Sequence, residues 1–169
     1  MNQGKVLIVM GSDSDYPVIE KCISILHSFH VETHVHICSA HRTPERAADL
    51  SSHAEKDGFS VIIAAAGKAA HLPGVLAAYT VLPVIGLPIL SSTMDGLDSL
   101  LSIVQMPSGI PVATVAINGS ENAALLAIQI MGGTYPVLRE DMHQYKINMK
   151  TAVIEKDAKL QETLKMRTL

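Results

Sequence analysis

The sequence predicts an α/β three-layer sandwich around a parallel sheet, and three observations carry that reading. Lys5 to Met10 and Val61 to Ala66 are short apolar runs without alternation, as strands buried on both faces require. Stretches with apolar residues at helical spacing separate such runs, so that strand and helix alternate along the chain. Aromatic residues make up only 4% of a chain that is 48% hydrophobic, so the core is built from small and branched aliphatics that suit close layers of helix on sheet. At 169 residues the chain fits one domain, enough to bury roughly two thirds of its unfolded surface.

The elements follow in order. The run Lys5 to Met10 is the first strand, and Asp15 with Pro17 starts a helix whose apolar positions Ile19, Cys22, Ile23, Leu26 and Phe29 share one face through His30. Val31, Thr33, Val35 and Ile37 alternate with Glu32, His34 and His36, which marks a half-exposed strand near a sheet edge. Thr43 and Pro44 open a second helix that Gly58 closes. Val61 to Ala66 is the third strand; then come a helix over Pro73 to Tyr79, a strand over Pro83 to Gly86, a helix over Leu97 to Gln105, a strand over Pro111 to Ile117 and a helix over Glu121 to Met131. Five alternations give a parallel sheet in the flavodoxin-like order 2-1-3-4-5. Residues 1–133 form the sandwich. Residues 134–169 are polar with scattered apolar positions, among them Val137, Leu138, Met142, Tyr145 and Ile147, and read as a C-terminal extension of one or two helices reaching another subunit.

Composition excludes several classes. A net charge of -3 and few aromatics leave no basic patch or stacking platform for nucleic acid, and no basic face for an anionic membrane. Leu72 to Leu90 carries no charge and approaches spanning length, but three prolines and two glycines break it into a helix and a buried strand. Cys22 and Cys38 lack CxxC spacing and read as reduced thiols of a cytoplasmic protein; the first residues have neither the apolar length nor the cleavage site of a signal peptide.

In open parallel sheets ligands bind at the carboxyl ends of the strands. Four such ends carry small or polar residues: Gly11, Ser12, Asp13, Ser14 and Asp15; Ser39, Ala40, His41 and Arg42; Gly67 to His71; and Gly86, Leu87 and Pro88. Small residues admit backbone N–H groups to an anion, and hydroxyls with Arg42 hold phosphate oxygens, so the simplest ligand is a phosphorylated small molecule. Asp15 would repel a phosphate and fits the hydroxyls of a sugar, although Ser-Asp-Ser-Asp is also an ordinary capped turn. Neither GxGxxG nor GxxxxGK[ST] is present, so a dinucleotide or nucleoside triphosphate is not indicated. His41, beside Arg42 at a strand end, stands out among eight histidines, because an imidazole titrates near 6.5 in general and moves protons near neutrality. His71 either lines the same crevice or caps a helix. Cys38 is either the nucleophile of a Cys/His pair or a small buried side chain, and His34 with His36 lacks a third metal ligand at suitable spacing.

Together "MGSDSD", "SAHRTP", "AAHLPG" and "LDSLLSIVQMPSGIPVATVAI" followed by "NAALLA" resemble the PurE family, and specifically class I, the N5-carboxyaminoimidazole ribonucleotide (N5-CAIR) mutases. The resemblance runs in unbroken order from Val6 to about Gly132. It implies conversion of N5-CAIR to 4-carboxy-5-aminoimidazole ribonucleotide (CAIR) in purine biosynthesis, by a homo-octamer with no metal and no organic cofactor. It places Gly11, Ser12, Ser14, Asp15, Ser39, Ala40, Arg42, Gly67, Ala70, His71 and Leu72 around the substrate, with His41 as the acid/base and Arg42 on the phosphate. This chain departs from the family at Lys68, where the pattern has the second glycine of Gly-Gly before Ala-Ala-His. Two rivals stand beside this expectation: class II chemistry, in which the aminoimidazole ribonucleotide (AIR) is carboxylated directly by CO2, and a flavodoxin-like carrier of FMN or a phosphosugar. "AAHLPG" favours the mutase.

Overall fold

The computed structural model describes residues 3–167; the outermost residues of the expected single domain, 1, 2, 168 and 169, lie outside the described residues. Five parallel strands form one sheet: β1 (Lys5–Met10), β2 (Glu32–Ile37), β3 (Phe59–Ala66), β4 (Val84–Pro88) and β5 (Ala113–Thr114). Their order is β2-β1-β3-β4-β5, the flavodoxin-like order the alternation predicts. Six α-helices accompany them: α1 (Tyr16–Ser28), α2 (Pro44–Ala54), α3 (Leu72–Ala78), α4 (Leu97–Val104), α5 (Ser120–Met131) and α6 (Pro136–Arg167).

The pleat divides the apolar runs between two cores. Val6, Ile8 and Met10 of β1, with Val61, Ile63 and Ala65 of β3, face α1 and α5. Leu7 and Val9, with Ile62, Ala64 and Ala66, face α2, α3 and α4. Both sides of β1 and β3 are therefore dry, which is why their sequences show no alternation. The edge strand β2 exposes Glu32 and His34 and half-buries Thr33 and Val35, as its alternation requires; the pattern lapses at the strand end, where Ile37 is exposed.

Two strand boundaries differ most from the sequence reading, and the C-terminal extension takes the simpler of its two expected forms. The fourth strand runs on to Pro88: Leu87 pairs with Ala65 and Pro88 with Ala66, so Gly86-Leu87-Pro88 is strand, and the turn begins at Ile89. Gly86 serves packing instead of turning. A Cβ there would strike Ile103 of α4 and lie 2.9 Å from Val112. The fifth strand is two residues long, not seven. It pairs only with β4, and Pro111 has no N–H to extend the ladder. The C-terminal extension is one helix of 32 residues. Its first turns bury Leu138 and Met142 in the core of β1, α1 and α5, and Tyr145 meets Phe29 with ring centroids 5.7 Å apart. From Lys146 to Met166 every residue is exposed.

The uncharged segment Leu72 to Leu90 supplies α3 and β4, both within the sandwich. Among the described residues no helix is long and apolar enough to cross a membrane.

Candidate active site

Four loops at the carboxyl ends of β1 to β4 enclose one cleft of about 720 Å³, within the roughly 300–1,000 Å³ common for small-molecule sites.

The loop after β1 is fixed by its own polar groups. Gly11 N–H donates to the Ala65 carbonyl at 3.0 Å, which pins the loop to β3. Ser12 caps a single 3-10 turn over Asp13–Asp15: its Oγ accepts the Ser14 N–H at 3.3 Å, while Asp15 Oδ2 accepts the Ser12 N–H at 3.2 Å. The capped-turn reading of Ser-Asp-Ser-Asp is thus realised, and Ser12, Ser14 and Asp15 line the cleft as well. Asp15 is buried at 7% exposure. Burial raises its pKa above the ordinary carboxylate value; the Ser12 N–H and the Ser14 hydroxyl counter that effect, and Asp13 adds to it.

The loop after β2 is locked by hydroxyls. Thr43 Oγ1 donates to the Ser39 carbonyl at 2.9 Å and accepts the Ser39 N–H at 3.2 Å, and Arg42 N–H donates to the Ser39 carbonyl at 3.2 Å. This tight turn presents His41 and Arg42 outward. The Arg42 guanidinium reaches across to the β1 loop, where it donates to the Gly11 carbonyl at 3.5 Å.

The loop after β3 brings the second imidazole. His71 occupies the N-cap position of α3, and its carbonyl accepts the Val75 N–H at 3.0 Å, but its side chain makes no capping bond. The ring turns instead to the β2 loop: His71 Nδ1 and His41 Nε2 lie 2.8 Å apart, with the rings nearly perpendicular at 79°. One nitrogen donates and the other accepts, so the protonation of either ring sets the tautomer of its neighbour. Of the two readings of His71, the backbone stands at the helix start and the side chain serves the crevice.

Of the residues read from sequence, Gly11, Ser12, Ser14, Asp15, Ser39, Ala40, His41, Arg42, Gly67, His71 and Leu72 all line the cleft. Ala70 does not. It is 1% exposed and packs in the core with Leu72 and Leu76, because the turn into α3 directs its methyl inward. Lys68 and Ala69 line the cleft beside it, as do Ile89, Leu90, Ser91 and Ser92 after β4. The serine pair was the available signal for that fourth loop, and reading Gly86-Leu87-Pro88 as its turn placed the loop too early.

Other candidates fall elsewhere. Cys38 is buried, with Sγ 3.8 Å from the Thr43 carbonyl, and is not among the residues lining the cleft, so no Cys/His pair forms. Burial pushes the Cys22 thiol up to about 12, which leaves it inert near neutral pH. His34 is held at 2.6 Å by Glu32 on the outer strand, and among the described residues no group of three His, Cys, Asp or Glu side chains is placed to hold a metal ion.

Fold and cleft define the class: a parallel-sheet α/β protein with a small-molecule site at the carboxyl edge, two touching imidazoles on one side and capped hydroxyls on the other. The family model for AIR carboxylase matches residues 5–152, and the chain belongs to that family. It is 58% identical over 155 residues to the N5-carboxyaminoimidazole ribonucleotide mutase of Pyrococcus horikoshii, covering 92% of this chain and 88% of that protein. It is 56% identical over 155 residues to the phosphoribosylaminoimidazole carboxylase of Candida albicans, covering 92% of this chain but 27% of that longer protein. Among solved structures it resembles Treponema denticola PurE, with a TM-score of 0.84 and 33% identity over 92% of this chain and 97% of that one.

Proposed function

We propose that the protein is an isomerase of purine biosynthesis that converts N5-CAIR into CAIR, moving a carboxylate from the exocyclic nitrogen to ring carbon C4. The observation that carries the chemistry is the 2.8 Å contact between His41 Nε2 and His71 Nδ1 inside the cleft. The similarity to a mutase over nearly its whole length supports the choice of reaction.

The nucleotide lies across the β1 and β2 loops. Arg42 and the serine hydroxyls of Ser12, Ser14 and Ser39 hold the phosphate, and Asp15, buried and acceptor-only when ionised, takes ribose hydroxyls. Gly11, Ala40 and Gly67 leave room for the substrate, while Leu72 and Ile89 exclude water behind the ring. Ala70 supports this wall from the core side.

The imidazole edge of the substrate then faces His41. Cleavage of the N–CO2 bond returns its electron pair to the exocyclic nitrogen, which takes a proton from His41 and leaves AIR with CO2 held in the closed space. C4 donates its electron pair to CO2, forming the new C–C bond, and His41 recovers a proton from C4 as the ring regains aromaticity. The proton given equals the proton returned, so no outside acid, base or redox partner is consumed. His71 holds the His41 ring and its tautomer through the Nδ1 contact during both transfers. Holding CO2 near C4 supplies much of the rate, since escape competes with recombination.

The enzyme works as a cytoplasmic homo-octamer, with the sandwich (1–133) and the tail (134–169) acting as one domain. The supporting observation is α6, whose outer half presents Ile147, Val153, Ile154, Leu160 and Leu164 to solvent in an isolated chain. About 20 residues of helix, roughly 30 Å, extend past the last contact with the sandwich, a length that needs a neighbour's surface to bury its apolar side chains.

The test is turnover by purified protein of N5-CAIR against AIR plus bicarbonate. Conversion of N5-CAIR without added bicarbonate supports the mutase; conversion of AIR and bicarbonate alone would move the assignment to direct carboxylation.

A further inference from the structure

Among the described residues, five other than glycine hold positive φ: His30, Lys68, Met94, Asp95 and Asn118. Of these only Lys68, at φ 56°, lines the cleft. Glycine occupies that backbone region without penalty, whereas a side chain with a Cβ is strained there, and such residues gather where function over-determines them. The chain keeps a long cationic side chain at this point of the active-site loop. Among the described residues Lys68 makes no ion pair and no side-chain hydrogen bond.

The two fixed cations of the cleft sit on different loops. Arg42 leans on the Gly11 carbonyl beside Ser12 and Ser14, the side suited to phosphate. Lys68 stands on the β3 loop three residues before His71, the residue in contact with His41. Phosphate and reacting carboxylate are the two anionic groups of the proposed substrate, and the cleft offers two cations on separate loops, neither in an ion pair among the described residues.

We propose that Lys68 is a specificity-determining residue that binds the substrate's migrating carboxylate and so favours carboxylated over uncarboxylated nucleotide. This inference rests on the mutase reading. An ammonium on a flexible stem can follow the carboxylate from the exocyclic nitrogen to C4, which a rigid guanidinium fork would do less well.

The experiment measures equilibrium binding of CAIR and of AIR, which lacks the carboxylate, to wild type, Lys68→Gln, Lys68→Arg and Lys68→Gly, alongside N5-CAIR turnover. Lys68→Gln should weaken CAIR about five- to tenfold, the range for a lost charge-assisted contact at a partly solvated site, and leave AIR within about twofold. Lys68→Arg should recover part of the difference. Lys68→Gly should lose the same discrimination while unfolding at a higher temperature than Lys68→Gln, because it removes the backbone strain as well as the charge. Unchanged CAIR affinity in Lys68→Gln, or an equal loss for AIR and CAIR, overturns the inference while wild-type turnover of N5-CAIR leaves the mutase reading standing. Absence of wild-type turnover with N5-CAIR overturns that reading itself.

Discussion

His41 Nε2 and His71 Nδ1 meet at 2.8 Å although 30 residues separate them in the chain, because the loops after β2 and β3 flank the loop after β1 at the same sheet edge. The contact ties the tautomer of the proposed acid/base to the ring of a residue whose backbone stands at the start of α3. His71→Asn keeps a side-chain oxygen able to accept from His41 but removes the ring that follows its tautomer. Turnover should fall by roughly one order of magnitude, less than for loss of the general acid/base itself. Steady-state kinetics should show the loss in kcat with KM little changed; an intact kcat would show that the contact has no part in proton transfer.

Asp15 makes a stability prediction with a defined sign. Burial raises its folded pKa above the unfolded value of 3.8, so between those two values the folded state binds more protons than the unfolded one. Stability contributed by this group therefore falls as pH rises through that window, and the ionised carboxylate destabilises the fold near neutrality. Asp15→Asn should unfold at or above the wild-type temperature at pH 7, with the difference shrinking as the pH falls below the ordinary carboxylate range. The same variant should bind nucleotide more weakly. A large destabilisation at pH 7 would show that the capping contact to Ser12 outweighs the burial cost.

Gly86 is closely covered by Ile103 and Val112, and Gly86→Ala tests the packing of α4 on the sheet. The added methyl would press on Ile103 and Val112. Overpacking of this kind costs about 1–3 kcal/mol, to be read from chemical denaturation. A variant as stable as wild type would mean that α4 shifts freely on β4.

Ending the chain after Tyr145 removes the exposed helical residues 146–166 with the few that follow, and spares the buried Leu138 and Met142. The shortened protein should remain folded by circular dichroism while its assembly, read by light scattering, weakens and its activity falls with it. A truncated protein of unchanged size and activity would separate α6 from both assembly and catalysis.

The central strands were legible because burial on both faces leaves an unbroken apolar run, as in Leu7, Ile8 and Val9, and β2 was legible because one exposed face imposes alternation. Loops that carry Gly, Ser and His at strand ends pointed to the cleft for the same reason. The position of β5 was legible but its length was not: Pro111 to Ile117 has the composition of a strand, and pairing with a single neighbour covers only Ala113 and Thr114. Gly86 misled because a glycine needed for close approach looks in sequence like one needed for a turn. The His41–His71 contact depends on tertiary placement, and Ala70 and Lys68 differ only in which way a strained loop turns each side chain.

The most direct test of the account is the turnover of His41→Asn with N5-CAIR, measured together with its nucleotide affinity. Asparagine keeps hydrogen-bonding capacity but carries no titrating proton. The account expects turnover to fall by roughly two to four orders of magnitude, as for a lost general acid/base, with nucleotide binding through Ser12, Asp15 and Arg42 retained. Near-normal turnover, or a loss explained entirely by failed binding, would contradict it.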